Sequence, residues 1–471
     1  MHKTLFVFLI FSQLSIAQNA DSLFIRRIFD EALSNGMCYS DLRSLCKDVG
    51  ARLAGSAQAE MAVYWGEQRL RAYGFDSVYL QPIMVPHWER GNRENVWIKF
   101  EDGSLKKIPV TALGGSIGTN GIIEAELAYF NTLEDLKKAP RAAVEGKIVF
   151  INQPMNEKEI VTFRAYGGCY AIRNSGAVEG ARLGAVAVII RSINLSHDDH
   201  PHTGGMTYED GVQKIPAAAI STNDSEFIKA NYKKQKMRIL LDMNCKMLEP
   251  KPSHNVIGEI RGSKFPNKII TVGGHLDSWD IGEGAHDDGA GIVHSIEALR
   301  LLKVLGYRPN HTLRVVLFMN EENGNMGGMT YASWVKERGE EHIVAIESDR
   351  GGFAPRGFDV DGNNQHFAFL KSFAPLFEPY ELHHFKKGFG GVDISPLKDY
   401  FPGIALFGFV PDSQRYFDFH HAETDVFEAV NKRELELGAA SIASLIYLID
   451  KYYGSMGKTP EKSKSRKNKR L

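Results

Sequence analysis

The sequence predicts an α/β fold: a mostly parallel mixed sheet with helices on both faces, interrupted by an inserted β-rich module. Three observations predict it. From Asn255 onward, apolar β-branched runs alternate with a helix-period segment at 288–303, whose apolar positions are Ile292, Val293, Ile296, Leu299 and Leu302. The runs at 268–273, 313–319 and 343–348 are continuously apolar, as strands covered on both faces must be. Between about 105 and 250 the texture changes to clustered glycines and short strands, which marks a separate module.

Taken in order, the first residues read MHKTLFVFLIFSQLSIAQNA. A basic head, an apolar run too short for the ~20 residues of a membrane span, and a small-x-small site before Gln18 predict a signal peptide over 1–17. The main domain then opens with a segment over 18–109. It is helical to about 75, broken by a loop at 52–56, and alternates as strands over 76–100. The insertion is expected over 110–248, with strands at 146–151, 184–190, 215–220 and 237–243 and a helix at 177–183. The second segment of the main domain, over 249–453, carries the candidate site. Residues 454–471 end in KSKSRKNKRL and predict a disordered basic tail.

Composition narrows the function. In 471 residues the apolar fraction is 43% and aromatics are 10%, so a sizeable core is expected. A net charge of −1 argues against nucleic acid or an anionic membrane as the main partner, and no segment after the first reads as a span. Cys38, Cys46, Cys169 and Cys245 show no CxxC spacing; free thiols and disulfides both stay open.

Five short segments concentrate metal ligands beside glycine: GGHLD, GAHDDGAG, NEENGNMGG, ESDRGG and FHHAETD. In a parallel sheet ligands bind at the carboxyl ends of strands, and His275, Glu321, Glu322 and Asp349 each follow an apolar run. Two imidazoles and three carboxylates (His275, Asp287, Glu322, Asp349 and His421) suit a pair of Zn²⁺ ions, which polarise a carbonyl and activate water. Asp277 stands two residues beyond His275, on the same side of an extended chain, and is expected to hold the His275 ring. Asp287 is assigned as the bridging carboxylate and Asp288 as its support, one of the pair serving as helix cap. Adjacent acids at the end of a buried strand repel, so Glu321 and Glu322 imply bound cations. Glu322 is assigned to a metal and Glu321 to general-base work. His197, His200 and His202 (SHDDHPH) lie in the insertion and could bind metal only adventitiously, and His87, His311, His342, His383 and His384 read as packing or surface residues.

Together these segments resemble the co-catalytic di-zinc exopeptidases that include bacterial leucyl aminopeptidases and plasma glutamate carboxypeptidase, and most of all the branch of the latter. The resemblance covers most of residues 40–450. It implies a phosphorylase/hydrolase-like catalytic domain with a protease-associated insertion. It also implies His275 and Asp349 on one zinc, Glu322 and His421 on the other, Asp287 between them and Glu321 as base. His421 is chosen over His420 because the family histidine stands four residues before an acid, here Asp425; Ala422 and Val426 depart from the usual HTxxDT pattern. The segment 390–397 is expected to line the substrate cleft. The expected activity is hydrolysis near a free terminus of short peptides by a secreted or periplasmic aminopeptidase or dipeptidase. The alternatives are a carboxypeptidase, a glutaminyl-peptide cyclotransferase or a non-catalytic receptor-like homologue. A homodimer is left open.

Overall fold

The computed structural model describes residues 20–92 and 94–456. The signal-peptide expectation and all but 454–456 of the basic tail lie outside the described residues.

Two eight-stranded sheets organise the chain. The first runs, edge to edge, Ser77–Glu89, Lys246–Ile260, His311–Phe318, Phe265–His275, Glu341–Glu347, Ala405–Pro411, Pro355–Asp361 and His384–Lys387. Its four central strands are parallel to one another, and the flanks are mixed. The sequence explains the centre: His311–Phe318 is buried at every residue, as is Glu341–Glu347 after its first. Helix Ala290–Val304 lies on one face and is buried nearly all round, because Lys432–Tyr452 covers its outer side. Helix Met326–Glu337 covers the opposite face through Tyr331, Ala332 and Val335. The register sets His275 opposite Phe318 and Gly273 opposite Glu347, so the carboxyl ends of three strands finish side by side.

The second sheet runs Leu105–Ile108, Asn95–Phe100, Met237–Asp242, Ile123–Phe130, Ile148–Ile151, Ala187–Arg191, Ala217–Ile220 and Val110–Ala112. It begins earlier than residue 110. Asn95–Phe100 and Leu105–Ile108 belong to it, whereas Ser77–Glu89 belongs to the first sheet. Alternation over 76–100 identifies two strands but carries no signal for which sheet each joins. At the far end, Lys246–Ile260 is one continuous strand of the first sheet and crosses the expected boundary at 248. The module also holds four α-helices, Leu133–Lys137, Thr162–Gly167, Ala171–Arg182 and Thr222–Asn231, more than its glycine-rich texture suggests. All four cysteines are free and buried. No helix among the described residues is long and apolar enough to cross a membrane.

Candidate metal centre

The five expected ligands converge where the central strands end. His275 is the last residue of its strand. Its Nδ1 lies 3.0 Å from the carbonyl oxygen of Asp277, which only accepts, so the proton sits on Nδ1 and Nε2 points into the site. Nε2 is 3.3 Å from Asp287 Oδ1 and 3.5 Å from Asp349 Oδ1. The other oxygen of Asp287 is 3.2 Å from His421 Nε2, which in turn is 3.1 Å from Glu322 Oε2. Asp287 therefore faces an imidazole on each side. His420 Nε2 stands farther off, 3.8 Å from Asp287, and its backbone carbonyl faces the His202 ring at 2.6 Å.

Asp277 departs from its expected part. Its carboxylate is 3.8 Å from His275 Nδ1, and it is the backbone carbonyl that meets the ring. The carboxylate instead accepts N–H groups from Asn320 (2.7 Å), Glu321 (3.1 Å) and Glu322 (3.4 Å). A buried anion needs donors, and the turn after His311–Phe318 supplies a fan of them. Asp277 thus fixes the Glu321–Glu322 turn with its carboxylate and the imidazole with its backbone carbonyl.

Asp288 accepts from the backbone N–H of His275 and of Gly291, each at 3.0 Å, and so ties the strand end to the helix start. Asp425 accepts from His286 (2.7 Å) and Asp287 (3.1 Å). Arg52 is fully buried; it donates to the carbonyls of Leu276 (2.6 Å), Glu283 (2.6 Å) and Gly284 (2.9 Å), pinning the loop that leads to Asp287. Arg350 pairs with Asp359 at 2.9 Å, which leaves Asp349 to the His275 side.

The electrostatics are those of a cage built for cations. Burial raises the pKa of Glu321 strongly, with Asp349, Glu322 and Asp287 adding repulsion. Burial, then repulsion from Asp287, also raises Glu322. Burial pushes Asp287 up, but the imidazoles of His275 and His421 facing it outweigh that and hold the carboxyl well below its ordinary range. Burial disfavours a charged His421, yet Glu322 and Asp287 lift it to about 9. Asp287 Oδ2, Glu322 Oε1 and Asp349 Oδ1 are buried without a hydrogen-bond partner. Orphaned carboxylate oxygens beside inward-facing imidazole nitrogens fit divalent cations, which would displace the compensating protons.

The second sheet's module contributes residues that the sequence did not single out. Arg173, 5% exposed, comes from helix Ala171–Arg182. Its Nη2 donates to the Tyr166 hydroxyl at 2.6 Å, and its Nη1 lies 3.2 Å from His421 Nδ1 and 3.4 Å from the Thr203 carbonyl. Its Nε has no partner, and among the described residues no carboxylate pairs with it. Gly204 permits this approach: its φ is +131°, and a Cβ there would collide with the Arg173 guanidinium and the His421 ring. His202 and Thr203 brace the His420–His421 loop, so two of the expectedly idle histidines act at the junction, the other being His200, 2.9 Å from Glu423. Asp393 is a further surprise within 390–397. It is fully buried with both oxygens unpartnered, next to Glu347, whose carboxylate accepts from Val392 (2.7 Å) and Ile394 (3.0 Å). An arginine on a short helix with no marked apolar face looks ordinary in sequence, and Asp393 is expected only as part of the cleft-lining segment 390–397, with no role of its own.

The cleft over these residues has a volume of about 560 Å³ and is lined by Asp287, Glu321, Glu322, Asp349, Arg173 and His421 among others. Val392 lines it, as expected for that segment.

A central parallel sheet whose carboxyl edge gathers imidazoles and carboxylates under a cleft is the architecture of a metal-dependent hydrolase. Comparison with known proteins agrees. Residues 255–446 match peptidase family M28. Carboxypeptidase Q of Bos taurus is 36% identical over 415 residues, covering 87% of this chain and 84% of that protein, and carboxypeptidase Q of Homo sapiens gives the same figures. A crystal structure of a peptidase M28 precursor from Shewanella amazonensis superposes with a TM-score of 0.87 at 35% identity, covering 92% of this chain and 97% of that one. The chain belongs to peptidase family M28. The α/β expectation is thereby borne out.

Proposed function

We propose that the protein is a secreted or periplasmic di-zinc exopeptidase that removes the carboxy-terminal residue of short peptides, dipeptides included. His275 and Asp349 would hold one zinc, Glu322 and His421 the other, with Asp287 shared and the second sheet's module serving as a protease-associated-like insertion. The observation that carries the reading is Asp287, whose two oxygens face His275 and His421 at 3.3 and 3.2 Å. Bound zinc would supply Lewis acidity toward the scissile carbonyl and activate water at neutral pH. The chain's own part is proton transfer and positioning. Glu321, at the wall of the cleft, takes the proton of the attacking water and passes it to the leaving amine. Asp277 keeps Glu321 and Glu322 in place through their backbone N–H groups.

For the terminus, the carboxypeptidase alternative is preferred over the aminopeptidase. The relatives named carboxypeptidase Q share 36% identity, against 23% over 60% of this chain for a probable leucine aminopeptidase 2 of Aspergillus oryzae. Arg173 supports the same choice. A guanidinium that lines the cleft and has no acid of its own suits a substrate α-carboxylate. The test is a set of dipeptides blocked at either end, assayed with and without a chelator. Amidation of the carboxyl end should slow cleavage about 100-fold, N-acetylation should be tolerated, and chelation should be reversed by zinc. The opposite blocking pattern would assign an aminopeptidase.

A further inference from the structure

The cleft does not end at the metal centre. Past Phe163, Asp349 and Val392, which line both spaces, it opens into a second lobe of about 940 Å³. That volume lies near the top of the range of roughly 300–1,000 Å³ for drug-sized ligands, so it holds more than one residue. Two segments form its lips. One carries Ile160 and Val161 from the module of the second sheet; the other carries Lys386 and Phe389 from the first. Ile160 is 83% exposed and Phe389 51%, an apolar rim facing solvent. The Ile160 lip is anchored, since Gln414 donates to its carbonyl at 2.9 Å and the Thr162 hydroxyl donates to Ser413 O at 3.0 Å.

Four cations line this lobe, Arg164, Arg350, Arg356 and Lys386, together with the acids Glu347, Asp349, Asp359 and Asp412. Arg350 is neutralised by Asp359 at 2.9 Å and Arg356 by Asp412 at 3.0 Å. Among the described residues, no acid pairs with Arg164 or Lys386. Glu347 also borders the lobe, but its carboxylate is turned to the N–H groups of Val392 and Ile394. Two free cations above an apolar rim, joined to the reaction centre through Asp349, describe a subsite for anionic chain.

We propose that this lobe binds the part of the substrate on the amino-terminal side of the scissile bond and favours acidic side chains there. The proposal rests on the reading that Arg173 holds the terminal carboxylate in the first lobe, which leaves the second lobe to the acyl side. The zinc-loaded protein is assayed with Ac-Asp-Asp-Ala-Phe and Ac-Lys-Lys-Ala-Phe, with products identified by mass. The acidic peptide should be favoured about tenfold in kcat/KM, the size expected for two exposed charge pairs reversed in sign. The preference should shrink at molar salt. It should fall to one or below in the Arg164→Glu/Lys386→Glu double variant. Both side chains are exposed, and the salt series on the unaltered protein gives a readout independent of the variant. Release of Phe with no charge preference, or with one the variant leaves intact, overturns the subsite alone. Cleavage of unacetylated versions from the amino end, with Phe retained, overturns the terminus reading and the subsite with it.

Discussion

Replacing Arg173 by Gln tests the choice of terminus most directly. The guanidinium is almost entirely buried, spends Nη2 on the Tyr166 hydroxyl at 2.6 Å, and keeps Nε free. A hydrogen bond to a charged partner contributes about 1.5–3 kcal/mol, and the full charge in a site shielded from water places the pair near the upper value. About 3 kcal/mol corresponds to roughly 150-fold in kcat/KM. The substitution also removes the 3.2 Å contact with His421, which would depress every substrate alike. A double-mutant cycle cancels that common loss. The assay is therefore kcat/KM for a dipeptide and for its carboxy-terminal amide, on both forms of the enzyme. The unaltered enzyme should favour the free acid by about 100-fold, and Arg173→Gln should bring the ratio near one. A variant that still discriminates fully between acid and amide would refute the assignment.

Three further outcomes are expected. Glu321→Gln should keep its metal complement, measured by atomic emission, while turnover falls by at least 10²–10⁴-fold; near-normal turnover would remove Glu321 from its role. Asp277→Asn keeps the shape but halves the acceptors offered to the N–H groups of Asn320, Glu321 and Glu322. Metal affinity in chelator competition should weaken by about 10–100-fold, and an unchanged affinity would show that the turn holds itself. Glu436, buried and repelled by Glu297, has its carboxyl raised from 4.5 to about 7. A raised acid stabilises the fold fully below pH 4.5 and loses that contribution as pH rises through 7, here about 3 kcal/mol. Glu436→Gln should therefore gain on the unaltered protein in thermal melts between about pH 5 and 8, and a gap that narrows over that interval would contradict the argument.

Much of the site could be read from the sequence because its ligands obey one rule. Strands buried on both faces are uninterrupted apolar runs, their carboxyl ends share one edge, and the polar residues directly after them must meet. His275, Glu322 and Asp349 are legible on that ground. His421 is not, since it follows no such run, and it needed the family pattern. For Asp277 the spacing suggests a side-chain contact with His275, and the structure brings the backbone carbonyl closer, at 3.0 Å against 3.8 Å for the carboxylate. Arg173 and the sheet membership of Asn95–Phe100 depend on how distant segments dock. Such docking leaves no period in the local sequence.

The junction between the two bodies bears on what can enter. Arg90 grips Asp280 with two bonds of 2.6 and 2.9 Å, the His202 ring meets the His420 carbonyl, and the Thr203 N–H reaches the His421 carbonyl at 2.9 Å. These fastenings sit beside the ligands themselves, so the jaws cannot swing apart without dismantling the centre. What enters must therefore fit the cleft of about 560 Å³ as it stands. A loose chain end meets those fixed walls with less to rearrange than a folded loop would, so the joinery itself favours trimming from an end.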